Sequence, residues 1–378
     1  MKYDYGRPEQ GFSFEHYNFF DCLSRLGHEI IYFDFMTLLQ KYGKSWMNRR
    51  LLEVAQSEKP ALLFTFLAAE ELEKETVRKI TEHGDIVTLN WFADDHYRFE
   101  IFSRFWAPCF TWVVTTAHST LPKYQQLGIH NVVASQWACN PFVYHRLDLP
   151  LKYDVTFVGA PHGNRRAIVQ ALRDAGLDVQ VWGTSWENGR LSQEEMIQVF
   201  NQSRINLNFT NAHCQVGHVS PPGKTLKSLA YEAIRSLPLA RRIGRNVRDA
   251  LRRVAPEDTS HALAEQYIPQ IKGRTFEIPG CGGFMLTGQA ENLDDYFTAG
   301  QEVACFNGVE ELISKAKYYL THEEERAAIA GAGYVRCLRE HTYIHRFNEL
   351  FRHIGLPYNE PEHLLQTPPL SGAVPEVA

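Results

Sequence analysis

The stretch YDVTFVGAPHGNRRAIVQAL, residues 153–172, joins a β-branched and aromatic run to a glycine-bearing turn and then to a segment with helical spacing. This order is typical of parallel sheets with crossover helices. Gly159 and Gly163 free the backbone of the turn, and Arg165 and Arg166 open the helix. Backbone N–H groups at a helix start, with guanidinium groups beside them, fit a phosphate or diphosphate. A surface helix that begins with two arginines explains the same pattern equally well.

Short apolar runs alternate with helical segments over nearly the whole chain, which predicts an α/β fold. Residues 140–152 contain two prolines and no clear period, and they predict a linker between two series of strands. Two such units of comparable size indicate two Rossmann-like doubly wound domains that face one another across a cleft. The predicted strands are 28–35, 61–67, 86–92, 111–116 and 132–136, followed by 153–159, 179–183, 205–210, 283–288 and 302–306.

The 378 residues are 44% apolar and 22% charged, which is enough material to bury at least two cores. Lysines and arginines number 39 against 44 acids, a net charge of −5, so we expect no specific nucleic-acid partner. No apolar run is long enough to cross a bilayer and the first residues do not resemble a secretion signal, so we expect a cytoplasmic protein. The seven cysteines are never spaced as CxxC, which argues against disulfides and a zinc ribbon.

An unusually long gap between the predicted strands 205–210 and 283–288 predicts an insertion at about 212–268. Within it, residues 223–253 hold nine lysines and arginines and two acids, which predicts a basic amphipathic helix. Such a helix would suit a peripheral contact with an anionic membrane or with an acidic polymer. A solvated charged face packed on the parent domain is the alternative that the sequence favours.

The segment WFADDHYRF, residues 91–99, follows a predicted strand and places Asp94, Asp95 and His96 at the edge of the crevice beyond the sheet. Adjacent carboxylates raise each other's proton affinity, and a nearby imidazole widens the choice of general base. An aspartate that caps the following helix explains the segment equally well. One DDH triplet gives no evidence for a metal site.

Near the start, YDYGRPEQGFSFEHYNFF, residues 3–20, combines a Gly/Pro loop with Ser13, Glu15 and His16 at the opening of a helix. Ser13 and His16 have the spacing of a capping residue and its N3 partner. The loop would admit an acceptor, and Glu15 or His16 would take a proton from it. A purely structural helix start is the alternative that the sequence favours here.

The segment QIKGRTFEIPGCGG, residues 270–283, brings Lys272, Arg274 and Glu277 within one or two helical turns. The cations would neutralise a diphosphate and the carboxylate would accept hydrogen bonds from a ribose diol, although a surface pair of Arg274 with Glu277 is an alternative. Together with residues beside other strands, the candidate donor-binding set is Gly159, Arg165, Arg166, Asn211, Lys272, Arg274, Glu277, Gly282 and Gly283.

The stretches QIKGRTFEIPGCGGFMLTG and EVACFNGVEELISKAKYYLTHEEERAAIAGAGYVRCLREHTYIHRF, with weaker support from the segments above, resemble the glycosyltransferases related to spore maturation protein CgeB. These belong to the broad group-1 type with the GT-B fold. The resemblance implies an acceptor-side Rossmann-like domain at 1–145, a nucleotide-sugar domain at 150–325, helices at 326–356 that pack back across the domains, and a tail at 357–378 that we expect to be disordered.

The resemblance further implies transfer of a sugar from a nucleoside diphosphate sugar to a hydroxyl acceptor on a glycan, a protein or a small molecule, with no metal or other cofactor. Glu277 matches the ribose-binding carboxylate, and Arg274 with Arg165 or Arg166 would face the diphosphate. A catalytically silent sugar-nucleotide or glycan binding protein and a sugar-nucleotide epimerase are the alternatives. The candidate catalytic bases are Asp94, Asp95, Glu15 and His16.

Three features depart from the family pattern. Two glutamates eight residues apart would put an acid at position 269, where this chain has Pro269. Only Met1 and Lys2 precede Tyr3, where the pattern has an apolar first strand. The basic insertion is the third departure, and the resemblance gives it no purpose.

Overall fold

The computed structural model describes residues 1–212 and 268–358 of the chain. The basic segment 223–253, nearly all of the predicted insertion and the tail beyond residue 358 lie outside the described residues. In the described part, no helix is long and apolar enough to span a bilayer.

The first lobe is built on a four-stranded parallel sheet in the order β1-β2-β3-β4. Its strands are β1 (Leu62–Thr65), β2 (Val87–Phe92), β3 (Trp112–Thr115) and β4 (Val132–Ala134). Its helices are α1 (Asp21–Arg25), α2 (Phe35–Tyr42), α3 (Lys44–Glu58), α4 (Lys74–His83), α5 (Asp95–Arg98), α6 (Arg104–Trp106) and α7 (Leu121–Gln126). Short 3-10 or π-helical turns lie at Asp4–Gly6, Pro8–Gln10, His16–Phe20, Phe99–Ser103, Ala107–Cys109 and His118–Thr120.

The second lobe is built on a five-stranded parallel sheet in the order β11-β10-β7-β5-β6. Its strands are β5 (Tyr153–Val158), β6 (Val179–Trp182), β7 (Ser203–Asn208), β10 (Met285–Gly288) and β11 (Ala304–Phe306), and a separate antiparallel pair joins β8 (Asn211–Ala212) to β9 (Ile268–Pro269). Its helices are α8 (Arg165–Asp174), α9 (Gln193–Gln202), α10 (Arg274–Gly280), α11 (Gly308–Thr321) and α12 (Glu323–Glu340), with a 3-10 turn at Leu293–Asp295.

The α/β class is therefore confirmed, and every predicted strand but one forms with its ends shifted by at most two residues. The exception is 28–35, where the prediction of a strand was wrong: these residues hold one bridge position, Tyr32, and Phe35 begins α2. The backbone N–H of Lys2 lies beside this segment but donates to the Asp34 carboxylate at 3.1 Å. A ladder needs repeated backbone pairs along both strands, and this side-chain bond supplies none.

The last helix, α13 (Tyr343–Ile354), returns the chain to the first lobe. It begins with a capping box in which Thr342 and His345 bond each other's backbone N–H groups. The ring of Phe347 is fully buried and lies 5.8 Å from that of Phe19 and 6.3 Å from that of Trp91, centroid to centroid. The helix therefore completes the core of the first lobe rather than that of the second.

Replacing Phe347 by Ala tests this role of the last helix. We expect the variant to lose about 3 to 5 kcal/mol of unfolding free energy, because the cavity would open where α13 and the first sheet meet. Val335→Ala serves as the control, since Val335 lies on α12 with 56% of its surface exposed and should change stability by less than about 0.5 kcal/mol. Urea unfolding measures both. Equal stability of the two variants would contradict this packing role.

Candidate functional site

A crevice with an empty volume of about 270 Å³ lies where the carboxyl ends of the two sheets meet. In open α/β sheets this edge is where ligands bind, because the connecting loops leave a gap there. The first lobe contributes residues that follow β2, β3 and β4, and the second contributes residues that follow β9 and β10. The lining residues are His96, Thr116, Ala117, His118, Gln136, Gln270, Ile271, Glu291 and Asn292.

Asp94 links the two lobes at this crevice. Its backbone adopts φ of 59° just before α5, a left-handed conformation that aspartate tolerates better than most residues. The Gln270 side chain donates to Asp94 Oδ1 at 2.8 Å, and Lys272 Nζ lies 3.5 Å from the same oxygen. Burial opposes ionisation, but Lys272 and Gln270 outweigh it and lower the pKa of Asp94. Asp94 is therefore a carboxylate at neutral pH.

His96 lines the crevice beside Asp94, and both of its ring nitrogens are buried. Burial lowers the pKa of His96 to about 4, and the Lys272 ammonium acts in the same direction against the opposing effect of Asp94. The imidazole is therefore neutral at neutral pH, which is the form that accepts a proton.

Asp95 does not join Asp94 and His96 in the crevice. The residue is fully buried, and its two carboxylate oxygens accept hydrogen bonds from Ser103 Oγ and, at 2.7 Å, from Tyr124 Oη. Burial raises the pKa of Asp95 although these hydroxyl groups oppose the change. Adjacent residues on a helix point in different directions, so Asp95 holds the start of the helical run in the first lobe while its neighbours face the crevice.

Glu15 and His16 lie in the aromatic segment near the amino terminus and not among the residues that line the crevice. The predicted cap is confirmed, since His16 N–H donates to Ser13 Oγ at 3.1 Å. The His16 ring stacks on Phe12 at 4.3 Å and on Phe20 at 4.7 Å. Burial, with help from Lys2, lowers the pKa of His16 to about 4. The packing of His16 thus accounts for its position without a catalytic role.

On the second lobe, Arg274 and Glu277 form a buried ion pair on α10 rather than the surface pair considered from the sequence. Glu277 is fully buried, and its other oxygen accepts a hydrogen bond from Tyr144 Oη at 2.9 Å. Arg274 Nε donates to the carbonyl of Val158 at the carboxyl end of β5. Burial disfavours the charge of Arg274, but Glu277 more than compensates and raises its pKa. The pair therefore fixes α10 against β5 at the binding edge.

Arg165 and Arg166 have separate environments. Arg165 is buried and donates to the carbonyls of Ala160 and Phe209, both at 2.9 Å, so that it ties the loop after β5 to the end of β7. Burial lowers its pKa to about 10. Arg166 is exposed, and its guanidinium lies over the Trp186 ring at 4.7 Å. The structure therefore brings Arg165, and not Arg166, towards the ends of β5 and β7.

The remaining candidates of the donor-binding set divide between the two edges of the sheet. Gly159 lies at the binding edge, where its carbonyl accepts a hydrogen bond from Trp186 Nε1 at 2.8 Å. Asn211 lies in β8, where it pairs with Pro269 of β9.

Gly282 and Gly283 precede β10 and therefore lie at the opposite edge from the crevice. Their role is steric: a Cβ on Gly282, whose φ is +71°, would lie 2.6 Å from Arg146 Nε, and one on Gly283 would lie 2.9 Å from the Phe200 carbonyl. The expectation that these two glycines contact a donor is not supported by their position.

Glu291 is a crevice residue that the sequence analysis missed. Its carboxylate crosses to the first lobe, where Oε1 accepts from the Ser119 N–H at 2.7 Å and Oε2 from Ser119 Oγ at 3.0 Å. A second missed contact joins Arg190 to Asp4 at 2.6 Å. Glu291 follows β10 by three residues, so the rule applied to the other strands would have found it. Among the described residues, no group of three or more metal-ligating side chains is arranged to hold a metal ion.

A family model described as glycosyl transferase-like matches residues 165–234 and 245–352, just under half of the chain and all of it in the second lobe and the segments that follow it. No curated protein matches the sequence significantly.

Two solved structures are similar in fold. Sucrose-phosphate synthase from Thermosynechococcus elongatus aligns over 84% of this chain and 79% of its own, with 8% identity and a TM-score of 0.52. The Anabaena protein HepE, in complex with UDP and glucose, aligns over 85% of this chain and 83% of its own, with 10% identity and a TM-score of 0.52. At these identities the likeness shows the fold, which is the expected GT-B fold.

Asp94→Asn tests the contact between the lobes. We expect a loss of at most about 1 kcal/mol of unfolding free energy at neutral pH, because the pair with Lys272 is partly exposed. Since the folded-state pKa of Asp94 is lowered, its stabilisation is complete above 3.8, the ordinary value, and disappears as pH falls through the lower folded-state pKa.

Urea unfolding over a series of pH values measures the difference between wild type and variant. Glu53→Gln is the control, because Glu53 forms an exposed surface pair with Arg50. Wild-type stability of Asp94→Asn at neutral pH would show that the contact contributes nothing.

Proposed function

We propose that this GT-B chain, which is glycosyl transferase-like in its second lobe, transfers a sugar from a nucleoside diphosphate sugar to a hydroxyl acceptor in the crevice between its lobes. The observation that carries the proposal is the meeting of Lys272 with Asp94 across this crevice, at the carboxyl ends of both sheets. A cation from one lobe and a carboxylate from the other supply the charges that the two halves of a transfer reaction require.

The donor diphosphate would lie against the second lobe. Negative charge grows on the diphosphate as the sugar leaves, so a cation already in place lowers the barrier. Lys272 is the cation at the crevice, and Arg274 lies two residues further along with 29% of its side chain exposed. Without a donor the charge of Lys272 is balanced by Asp94. Arg165, held by two carbonyl oxygens, would position the loop after β5 that completes the site.

The acceptor hydroxyl would approach from the first lobe. If the reaction inverts the configuration of the sugar, a base must take the proton of this hydroxyl as the bond to the sugar carbon forms. Asp94 and His96 are the candidates at the crevice, and both are in the proton-accepting form at neutral pH because their pKa values are lowered. Asp95, whose oxygens are both hydrogen-bonded within the first lobe, is excluded from our proposal.

For the finer assignment we propose a CgeB-like enzyme, because the sequence resemblance runs through α10 and the helices that follow β11. A uridine diphosphate sugar is the first donor to test, since the similar fold of HepE was solved with UDP and glucose. As the resemblance implies, the proposed transfer needs no metal, and activity in the presence of EDTA tests that. Release of a free sugar without an acceptor would instead indicate the epimerase alternative, and donor binding without turnover the silent binding protein.

Lys272→Met tests the diphosphate contact. With a panel of nucleotide sugars and detection of the released nucleoside diphosphate, we expect wild-type turnover of at least one donor and a kcat lower by roughly 100- to 1000-fold in the variant, because one preorganised charge is lost. Lys79→Met is the matched control, since Lys79 is exposed and pairs only weakly with Glu75 at 3.7 Å. Turnover by Lys272→Met at the wild-type rate, or no donor bound by the wild type, would contradict the proposal.

The dependence of kcat/KM on pH tests the proposed bases. Because the pKa of His96 is lowered to about 4 and that of Asp94 is also lowered, neither base is lost on acidification until pH approaches 4. We therefore expect the acidic limb of the profile to lie near pH 4 and to be absent near 6.5, the ordinary value for histidine. A limb near 6.5 would assign proton transfer to a histidine with an unshifted pKa.

A further inference from the structure

An exposed apolar ridge lies on the first lobe, on the helical run that extends from α5 through the turn Phe99–Ser103 and α6 to the turn Ala107–Cys109. Its inner side buries Phe99, Phe102 and Trp106 in the core of the lobe. On its outer side, Ile101 is 60% exposed, Phe105 is 51% exposed, and Pro108 is exposed as well. These three residues follow one another at spacings of four and three, so they share one face of the run. We call this face the 101–108 ridge.

Cations surround the 101–108 ridge. Lys74 Nζ lies 5.7 Å from the centroid of the Phe105 ring, and the Arg104 guanidinium lies 5.3 Å from it. Lys123 lies over the neighbouring Phe99 ring at 5.6 Å. Each long side chain therefore spreads its apolar stem over an aromatic ring and keeps its charge at the surface.

Two carboxylates lie among these cations. Glu100 pairs with Arg104 at 2.7 Å and approaches Lys123 at 4.0 Å, and Glu70 lies 3.8 Å from Lys74. Arg78, on the same helix as Lys74, acts on the pKa of the Cys109 thiol and so lies near the other end of the ridge. The surroundings of the ridge are therefore positive on balance, in a chain whose overall charge is −5.

We propose that the 101–108 ridge docks the protein on a lipid bilayer that carries anionic headgroups. Exposed aliphatic and aromatic side chains that enter the headgroup region, with basic side chains around them for the lipid phosphates, are the combination that holds a protein at a membrane surface. A second copy of this chain fits the ridge less well, because a symmetric contact would face its cations with the same cations. The bilayer is therefore the occupant that the charges favour.

The ridge lies close to the crevice in sequence, since the same helical run begins with Asp95 and His96. Docking through the ridge would hold the crevice near acceptors borne by the membrane. That consequence rests on the proposed function, whereas the docking itself does not. Vesicle binding and sugar transfer can therefore fail independently.

The test is sedimentation of the full chain with vesicles. We expect binding to vesicles of mixed phosphatidylglycerol and phosphatidylcholine, weaker binding at high salt, and little binding to phosphatidylcholine alone. The double variant Ile101→Glu, Phe105→Glu should bind the mixed vesicles on the order of tenfold less well, because it removes the apolar contact and adds negative charge. Val335→Glu is the matched control, an exposed apolar residue on α12, and should bind like the wild type.

Thermal unfolding of each variant separates loss of docking from loss of fold, and substitutions at these exposed positions should leave the melting temperature nearly unchanged. The proposal is overturned if the wild type does not bind the mixed vesicles, or if the double variant binds them as well as the wild type does. It is equally overturned if light scattering shows a wild-type dimer that the double variant abolishes, since the ridge would then be an interface between copies of this chain.

Discussion

The packing of the last helix against the first sheet is the constraint on which the rest of the structure depends. Phe347 and its neighbours on α13 lie in the core of the first lobe, although the chain enters this helix from the second. Backbone hydrogen bonds between Cys139 and residues 341–343 add a second tie, where the linker and the start of α13 run side by side. Because the chain crosses between the lobes twice, the carboxyl ends of the two sheets stay opposite each other and the crevice has defined walls.

Within the crevice, charge is arranged in two layers. Arg274 and Glu277 neutralise each other in the interior of the second lobe, where an unpaired charge would be strongly unfavourable. Lys272 and Asp94 pair at the surface of the crevice, where both side chains keep some exposure to water. The inner pair fixes the position of α10, and the outer pair leaves its cation accessible to an incoming anion. One short helix therefore combines a rigid support with an exchangeable contact.

The sequence predicted the class, the strands and the edge of the sheet at which to look, because apolar periodicity and the residues after each strand are local signals. It did not predict which neighbours face the crevice: Asp94 and Asp95 are identical in type, and only the position of Ser103 and Tyr124 turns the second one inwards. Gly282 and Gly283 suggested a binding turn, but their close neighbours Arg146 and Phe200 are distant in sequence. Strand 28–35 failed for the same reason, since strand formation depends on a partner as much as on composition.

The pair of short strands β8 and β9 has a consequence for how the chain tolerates change. Asn211 and Pro269 stand opposite each other, so the polypeptide leaves the second lobe and returns to it at adjacent points. The entropy of closing a loop grows only slowly with its length, by about 0.6 kcal/mol for each doubling. With its two ends fixed together at this neck, the intervening stretch can lengthen, shorten or diverge over evolutionary time with little effect on the sheets beneath it.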